Sequence, residues 1–445
     1  MAAFRELSVE NRIKTLQNEG AINDTEAAFL LKQFAESSDT TISADVANHM
    51  IEHQIGKYTL PVGVVRGLIV NGEVCDVLVA TEEPSVIAAA CNGARIAAAT
   101  DVGYGIIARS PQYVTTAQIA FEDADGSVAA RLSRIVEDKE KVAELLRIAN
   151  ASHPSISKRG GGARKCRASA LHGFAKLEID VDTCDAMGAN TVNTMGEAVK
   201  AQLESWLGVQ ALVAILTNTS RVASTAEVHI PVEALASRRR LEDSEREREG
   251  KCLARRIAAL SALAASDPAR AATHNKGILN GIAGAALASG NDTRALESAA
   301  HAWAARSGRY LPLSKWNTET LNGKTILHGR IEIPLQIGIV GGSISSLPMA
   351  KLAIKIGKYK NANDFRNTLA ALGLVQNLAA LRALAGPGIQ AGHMALQSSN
   401  LAIAAGAKGA EIAEITHNIL QLSPAERTTE KVTQLLQKLR ESSKN

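Results

Sequence analysis

The stretch Asp267-Pro268-Ala269-Arg270-Ala271-Ala272-Thr273-His274-Asn275-Lys276-Gly277-Ile278-Leu279-Asn280-Gly281, with Gly290-Asn291-Asp292 beyond it, concentrates a base, an amide, an acid and an arginine among glycines and alanines. Small neighbours let backbone and ligand approach closely. Lys276 and Asn280 stand four apart, so one helical face presents both. Asp292 follows a Gly-Asn turn, where loop chemistry is displayed. Two further stretches carry ionisable groups: Thr81-Glu82-Glu83-Pro84-Ser85 and Gly386-Pro387-Gly388-Ile389-Gln390-Ala391-Gly392-His393. Pro84 suits a first helical turn and sets Glu83 at a helix N-terminus, where the dipole favours its ionised form and burial opposes it. Taken singly, the lysine reads as solvated, the glutamate as a cap and the histidine as a surface residue.

The elements that must position them can be read in outline. Residues 1–60 look helical, with Ser8 capping one helix and Asn23-Asp24-Thr25-Glu26 opening a second. Pro61 restricts the extended segment after Leu60 to an edge or a turn, and Asn71-Gly72 between strand-like runs signals a hairpin. Gly103-Tyr104-Gly105-Ile106-Ile107-Ala108 fits G-x-G-x-x-A, but an alanine-rich helix precedes it and Ser110-Pro111 follows, so the dinucleotide fingerprint is rejected. Short strands at 116–121, 175–181 and 211–216 alternate with helices at 138–149 and 193–206, which predicts a small α+β domain inserted in a larger one. Inside it, Asp185-Ala186-Met187-Gly188-Ala189-Asn190-Thr191-Val192-Asn193 sets an acid, amides and a close-approach glycine before a helix, an anion-friendly arrangement. The stretch 149–162, with His153, Ser155, Ser157, Lys158 and Arg159 ahead of three glycines, reads by itself as a flexible linker. The sign-mixed run 238–249 reads as a solvated helix. Residues 411–443 form an amphipathic tail beyond the glycine-proline hinge.

At 445 residues the chain exceeds one ordinary core, and two or three domains are expected. A hydrophobic content of 46% with 3% aromatics describes a packed globular protein built from Ala, Leu, Ile and Val. The net charge of +4, with both signs interspersed, excludes a dedicated nucleic-acid binder. Cys75, Cys91, Cys166, Cys184 and Cys252 form no C-x-x-C pair, so they read as reduced cytosolic thiols without a zinc cage, and no metal is expected. The N-terminus lacks a signal-peptide layout, and no window is read as reaching the ~20 apolar residues of a bilayer span. A soluble, cytoplasmic protein is expected.

Four motifs, taken in order, resemble class II 3-hydroxy-3-methylglutaryl-coenzyme A (HMG-CoA) reductases across essentially the whole chain. They are Glu-Glu-Pro-Ser at 82–85, Asp-Ala-Met-Gly-x-Asn at 185–190, the Asp267 stretch with its Gly-Asn-Asp, and the glycine-flanked His393. Met50-Ile51-Glu52-His53-Gln54-Ile55-Gly56 with Leu60-Pro61 resembles the family's dimerisation segment, His53 standing where Asn is common. Gly338-Ile339-Val340-Gly341-Gly342 resembles its Gly-x-x-Gly-Gly turn. The resemblance implies an α+β fold. A large, mostly helical substrate domain (1–111 and 219–385) carries an inserted ferredoxin-like cofactor domain (112–218) and a C-terminal helical flap (386–445). It implies a homodimer, or an oligomer of dimers, with active sites at the subunit interface, and no membrane anchor.

The implied reaction is reduction of HMG-CoA to mevalonate and CoA with two NAD(P)H, or its reverse. Catalytic roles fall on Glu83, Lys276, Asp292 and His393. Lys276, placed by Asn280, meets the oxyanion; His393 protonates the departing thiolate, and protonated Glu83 serves the second reduction. Asp292, close to both Lys276 and Glu83, is expected to raise the glutamate's pKa while holding the lysine. Ser85, Asn218, Arg270 and Thr273 bind the HMG group, and Arg5 meets the CoA phosphate. Cofactor contacts fall on Asp185, Met187, Gly188, Asn190 and Asn193. NADH-using relatives carry an acid where an ungapped reading puts His153; with Ser155, Lys158 and Arg159 nearby, NADPH is favoured over NADH. Two rival readings remain: mevalonate oxidation with NAD, and a non-catalytic acyl-CoA-binding homologue, which would have lost at least one of the four catalytic residues. A thiolase-like transferase would need a nucleophilic cysteine in a recognisable setting.

Overall fold

The computed structural model describes residues 4, 7–32, 42, 44–55, 57–100, 104–237, 241–386, 398–423 and 426–442. Its largest hydrophobic core is organised by α4 (Val86–Ala97), α10 (Pro268–Ala288) and α13 (Ala362–Ala385). Helix α13 is apolar nearly all round, as a fully enclosed helix must be. By length and composition it could cross a bilayer, which corrects the expectation that no segment would; 78% of its apolar window is buried in the fold, so that hydrophobicity serves the core.

The hairpin β1 (Val62–Val70) and β2 (Glu73–Ala80) turns through Asn71 and Gly72, both with positive φ, as a two-residue hairpin requires. A second sheet is antiparallel in the order β3 (Ile107–Arg109), β8 (Ser224–Pro231), β10 (Lys324–Ile333), β9 (Ser314–Leu321). Its strands alternate: Ala226, Val228, Ile230, Leu327, Ile331 and Ile333 enter the core, whereas Glu227, His229 and His328 face outward. Ile107–Arg109 is thus a sheet-edge strand with no helix opening on it, as the rejected fingerprint anticipated.

A separate core, drawn from residues between Ala117 and Ala214, belongs to the inserted region. Its antiparallel sheet runs β5 (Gly162–Leu171), β6 (Phe174–Asp182), β4 (Thr115–Glu122), β7 (Val213–Leu216). With α5 (Ser127–Glu137), α6 (Lys139–Ser152) and α8 (Ala189–Leu207), this is the expected ferredoxin-like βαββαβ order. Sequence reading missed α5 and β5. Strand β5 is rich in Arg and Lys and shifts register between Ala163 and Lys165, which blurs its alternation. The supposed linker at 149–162 is instead a packed corner: α7 (Pro154–Ser157) follows α6, and Asn150 Oδ1 accepts Ala163 N at 2.8 Å.

The N-terminal helices α1 (Val9–Asn18) and α2 (Asp24–Lys32) start at the expected caps. Ser8 accepts from Asn11 N at 3.2 Å, and Asn23 and Glu26 exchange reciprocal bonds of 2.8 and 3.0 Å. Helices Ala410–Gln421 and Thr429–Ser442 bury Ile415, Ile419, Val432 and Leu436 in a core of their own.

Candidate active site

Asp267 caps α10 by accepting from Ala269 N at 3.0 Å, and Pro268 takes the first turn. One side of the helix is bolted down. His274 Nε2 meets Ser314 Oγ at 2.7 Å; Asn275 donates to Leu311 O at 3.0 Å and accepts from Leu313 N at 2.8 Å. Ser314 donates on to Asn377 Oδ1, which also accepts Trp316 Nε1, both at 2.8 Å. Burial, with the Arg270 charge second, pushes the His274 pKa down to about 4, so this imidazole is neutral. Sequence reading assigned His274 and Asn275 no role. Their signal was two polar residues inside an otherwise apolar helical stripe.

The opposite side of α10 faces outward with Thr273, Lys276 and half-buried Asn280. At Gly284 an added Cβ would lie 2.6 Å from Val79 Cγ1 and 3.0 Å from Ala80 O, so α10 crosses β2 at a distance that excludes a side chain. Glu83 stands just past the end of β2, and its carboxylate meets the helix. Lys276 Nζ lies 2.6 Å from Glu83 Oε2, and Asn280 Nδ2 donates to Oε1 at 3.3 Å. The side chains of Lys276 and Glu83 are 61% and 38% exposed, so solvent and substrate reach both. An ion pair this open contributes little to stability, ~0–1 kcal/mol. Its consequence is chemical: a cation, a carboxyl and an amide converge at one accessible point.

Local geometry around Glu83 differs from expectation. Helix α4 starts only at Val86, after Ser85 in the left-handed region at φ 74°, so Pro84 precedes the helix and Glu83 lies outside its first turn. Its N–H instead donates to Thr81 Oγ1 at 3.1 Å. Asp292 has contacts of its own. Its carboxylate caps α11 (Thr293–Ala304), accepting Arg294 N and Ala295 N at 3.0 and 3.1 Å, and pairs with Arg294 at 3.3 Å. The carboxylate that meets Lys276 is Glu83's. Thr273 donates to Ala269 O within its own helix, Arg270 is half-buried, and Asn218 is exposed after β7. Arg5 and His393 lie outside the described residues.

The inserted sheet meets this site through the loop before α8. Asn291, next to Asp292, clasps Gly338 by bonds of 2.8 and 3.0 Å. Gly338 in turn lies against the other loop so closely that an added Cβ would come within 2.5 Å of Met187 N. Asp185 O accepts Ile339 N at 2.8 Å, and the Asp185 carboxylate accepts Ala362 N at 2.7 Å. The Asp185 carboxylate, expected as a cofactor contact, thus also fastens the loop to α13. Asn193 is likewise occupied, accepting Leu216 N at 2.9 Å. Gly188, at φ 84°, caps α8, while Asn190 is exposed. His153 sits across that helix start, its Nε2 3.3 Å from Thr191 Oγ1 and its Nδ1 3.0 Å from Ser155 Oγ, with Lys158 and Arg159 exposed beside it. A cavity of about 420 Å³ is lined in part by Arg159, Asp182, Asp185 and Arg366.

A family model described as hydroxymethylglutaryl-coenzyme A reductase matches residues 8–398. The fold and site thus define an oxidoreductase acting on a CoA thioester. A structure of the Streptococcus pneumoniae HMG-CoA reductase superposes with a TM-score of 0.78 at 35% identity, covering 98% of this chain and 99% of that one. A second structure from that organism, titled as the class II enzyme bound to NADPH in open conformations, gives 0.77 at 35% identity over 86% of this chain and 98% of that one. The Archaeoglobus fulgidus HMG-CoA reductase is 36% identical over 414 residues, 92% of this chain and 88% of the relative. The chain belongs to the HMG-CoA reductase family, whose reaction is reduction of HMG-CoA to mevalonate and CoA at the expense of NAD(P)H.

Proposed function

We propose that HMG-CoA is reduced at the open side of α10, and that Lys276, Glu83 and Asn280 form the working centre. The carrying observation is the convergence of Lys276 Nζ at 2.6 Å and Asn280 Nδ2 at 3.3 Å on one exposed carboxylate. The Lys276 ammonium stabilises the oxyanion that forms on the thioester carbonyl, and Glu83 and Asn280 fix its position. Glu83, in its acid form, protonates the aldehyde oxygen in the second reduction. His393 protonates the CoA thiolate, and Asp292 completes the catalytic set that the resemblance implies. Ser85, Asn218, Arg270 and Thr273 take the HMG group, and Arg5 the CoA phosphate.

When bound, NAD(P)H supplies hydride. The residues present suit it: the N-terminus of α8 with Gly188 and Asn190 for the pyrophosphate, and His153, Ser155, Lys158 and Arg159 for a ribose 2′-phosphate. That donor set contains no acid, which favours NADPH over NADH. The two separate cores support the division into 1–111 with 219–385 and 112–218, and the core of the last two helices supports a flap over 386–445. The working form is a cytoplasmic homodimer with the site at its interface. Lys276→Ala tests the reading. Turnover falls by ~10²–10³ or more while the dimer stays folded; near-normal turnover in that variant would sink the mechanism.

A further inference from the structure

The outer face of the β8–β10–β9 sheet carries a cluster that the reaction does not use. His229 and His328 are directly opposed cross-strand partners, their rings stacked with centroids 4.6 Å apart and planes 13° from parallel. Glu227, two residues before His229, shares that face by strand alternation. Its Oε1 lies 2.9 Å from His328 Nε2 and 3.8 Å from His229 Nε2, and one donor atom from each of the three residues falls within 4.8 Å of the others. On the far side of the ring, His328 Nδ1 is 2.8 Å from Glu319 Oε1, which Asn317 Nδ2 also holds at 2.7 Å.

An ionised carboxylate only accepts, so the Glu319 contact draws the ring proton to Nδ1. Nε2 is then a lone pair 2.9 Å from a second carboxylate oxygen, and it is buried without a hydrogen bond among the described residues. Two acceptors at that distance repel unless a cation lies between them. A carboxylate behind an imidazole, fixing its tautomer and raising its basicity, is the usual support for a metal-binding histidine.

We propose that Glu227, His229 and His328 bind one divalent transition-metal ion of the zinc class, with Glu319 orienting His328. Imidazole and carboxylate donors suit zinc rather than magnesium or calcium. Three protein ligands leave a fourth position for water. The side chains of His229 and Glu227 are 45% and 38% exposed, so the ion enters from solvent and ties β8 to β10.

The test uses full-length, tag-free, chelator-treated protein in equilibrium dialysis against Zn²⁺, with Co²⁺ absorption as the spectroscopic readout. Wild type takes up one ion per chain, undisturbed by excess Mg²⁺. His229→Ala and His328→Ala lose it, and Glu319→Gln weakens binding by ~10–100-fold. HMG-CoA reduction by the metal-free variants stays at the metal-free wild-type level. Absence of stoichiometric uptake by wild type would overturn the proposal, leaving a proton as the bridging cation. Undiminished uptake by the double variant His229→Ala/His328→Ala would overturn it by placing the ion elsewhere.

Discussion

Gly284→Ala perturbs the site without touching a reacting group. The new methyl would lie 2.6 Å from Val79 Cγ1 and 3.0 Å from the Ala80 carbonyl oxygen. Carbon atoms rest at ~3.5–4.0 Å, so α10 and β2 must separate by ~1 Å at their crossing. Neither neighbour can yield easily, because Val79 is fully buried and Ala80 offers backbone. Lys276 lies two turns upstream on the same helix, ~12 Å along its axis, and Glu83 sits just past the strand that is pushed away. The contact of 2.6 Å between Lys276 and Glu83 therefore opens beyond hydrogen-bonding range. Overpacking costs ~1–3 kcal/mol, partly offset by ~1 kcal/mol of better helix propensity, so the protein remains folded. A misplacement of ~1 Å in a catalytic constellation costs ~10² in rate. The assay is kcat/KM for HMG-CoA-dependent NADPH oxidation, with circular dichroism to confirm folding. Val79→Ala in the same background removes the nearer clash and recovers part of the loss. A folded Gly284→Ala variant with wild-type kcat/KM would show that the helix–strand crossing does not set the geometry of the pair.

His393→Gln should cripple HMG-CoA reduction far more than reduction of free mevaldehyde, which releases no thiolate, whereas Glu83→Gln should damage both; equal slowing of the two half-reactions by His393→Gln would refute its assignment. His153→Asp places an acid where a 2′-phosphate would sit, and kcat/KM should shift toward NADH; an unchanged NADPH-to-NADH ratio would remove His153 from the cofactor site. His274, with its pKa lowered from 6.5 to about 4, binds its proton more readily in the unfolded chain. It contributes on the order of 3 kcal/mol of stability that is present above pH ~6.5 and lost as pH falls toward 4. Urea unfolding between pH 7 and 4.5 should show this slope, and His274→Gln should flatten it; an equal slope in the variant would assign the acid sensitivity to other groups.

The sequence by itself determined what depends on residues close together in the chain. The caps at Ser8 and Asn23, the Asn71-Gly72 hairpin and the Lys276–Asn280 spacing all rest on one or two turns of backbone, and all appear in the structure. The family resemblance was legible for the same reason, being carried by short motifs. Partnership across the chain was not legible. Which carboxylate meets Lys276 depends on how α10 crosses β2, and that crossing places Glu83 there while Asp292 caps its own helix. The bond from Ala362 N to the Asp185 carboxylate follows from the packing of the loop before α8 against the start of α13. The pairing of His229 with His328 follows from strand register, and the length and polarity of α13 acquire their meaning only from the core that encloses it. Local spacing sets which groups one element presents; packing decides which groups from distant elements meet, because contact energies act through space without regard to sequence separation.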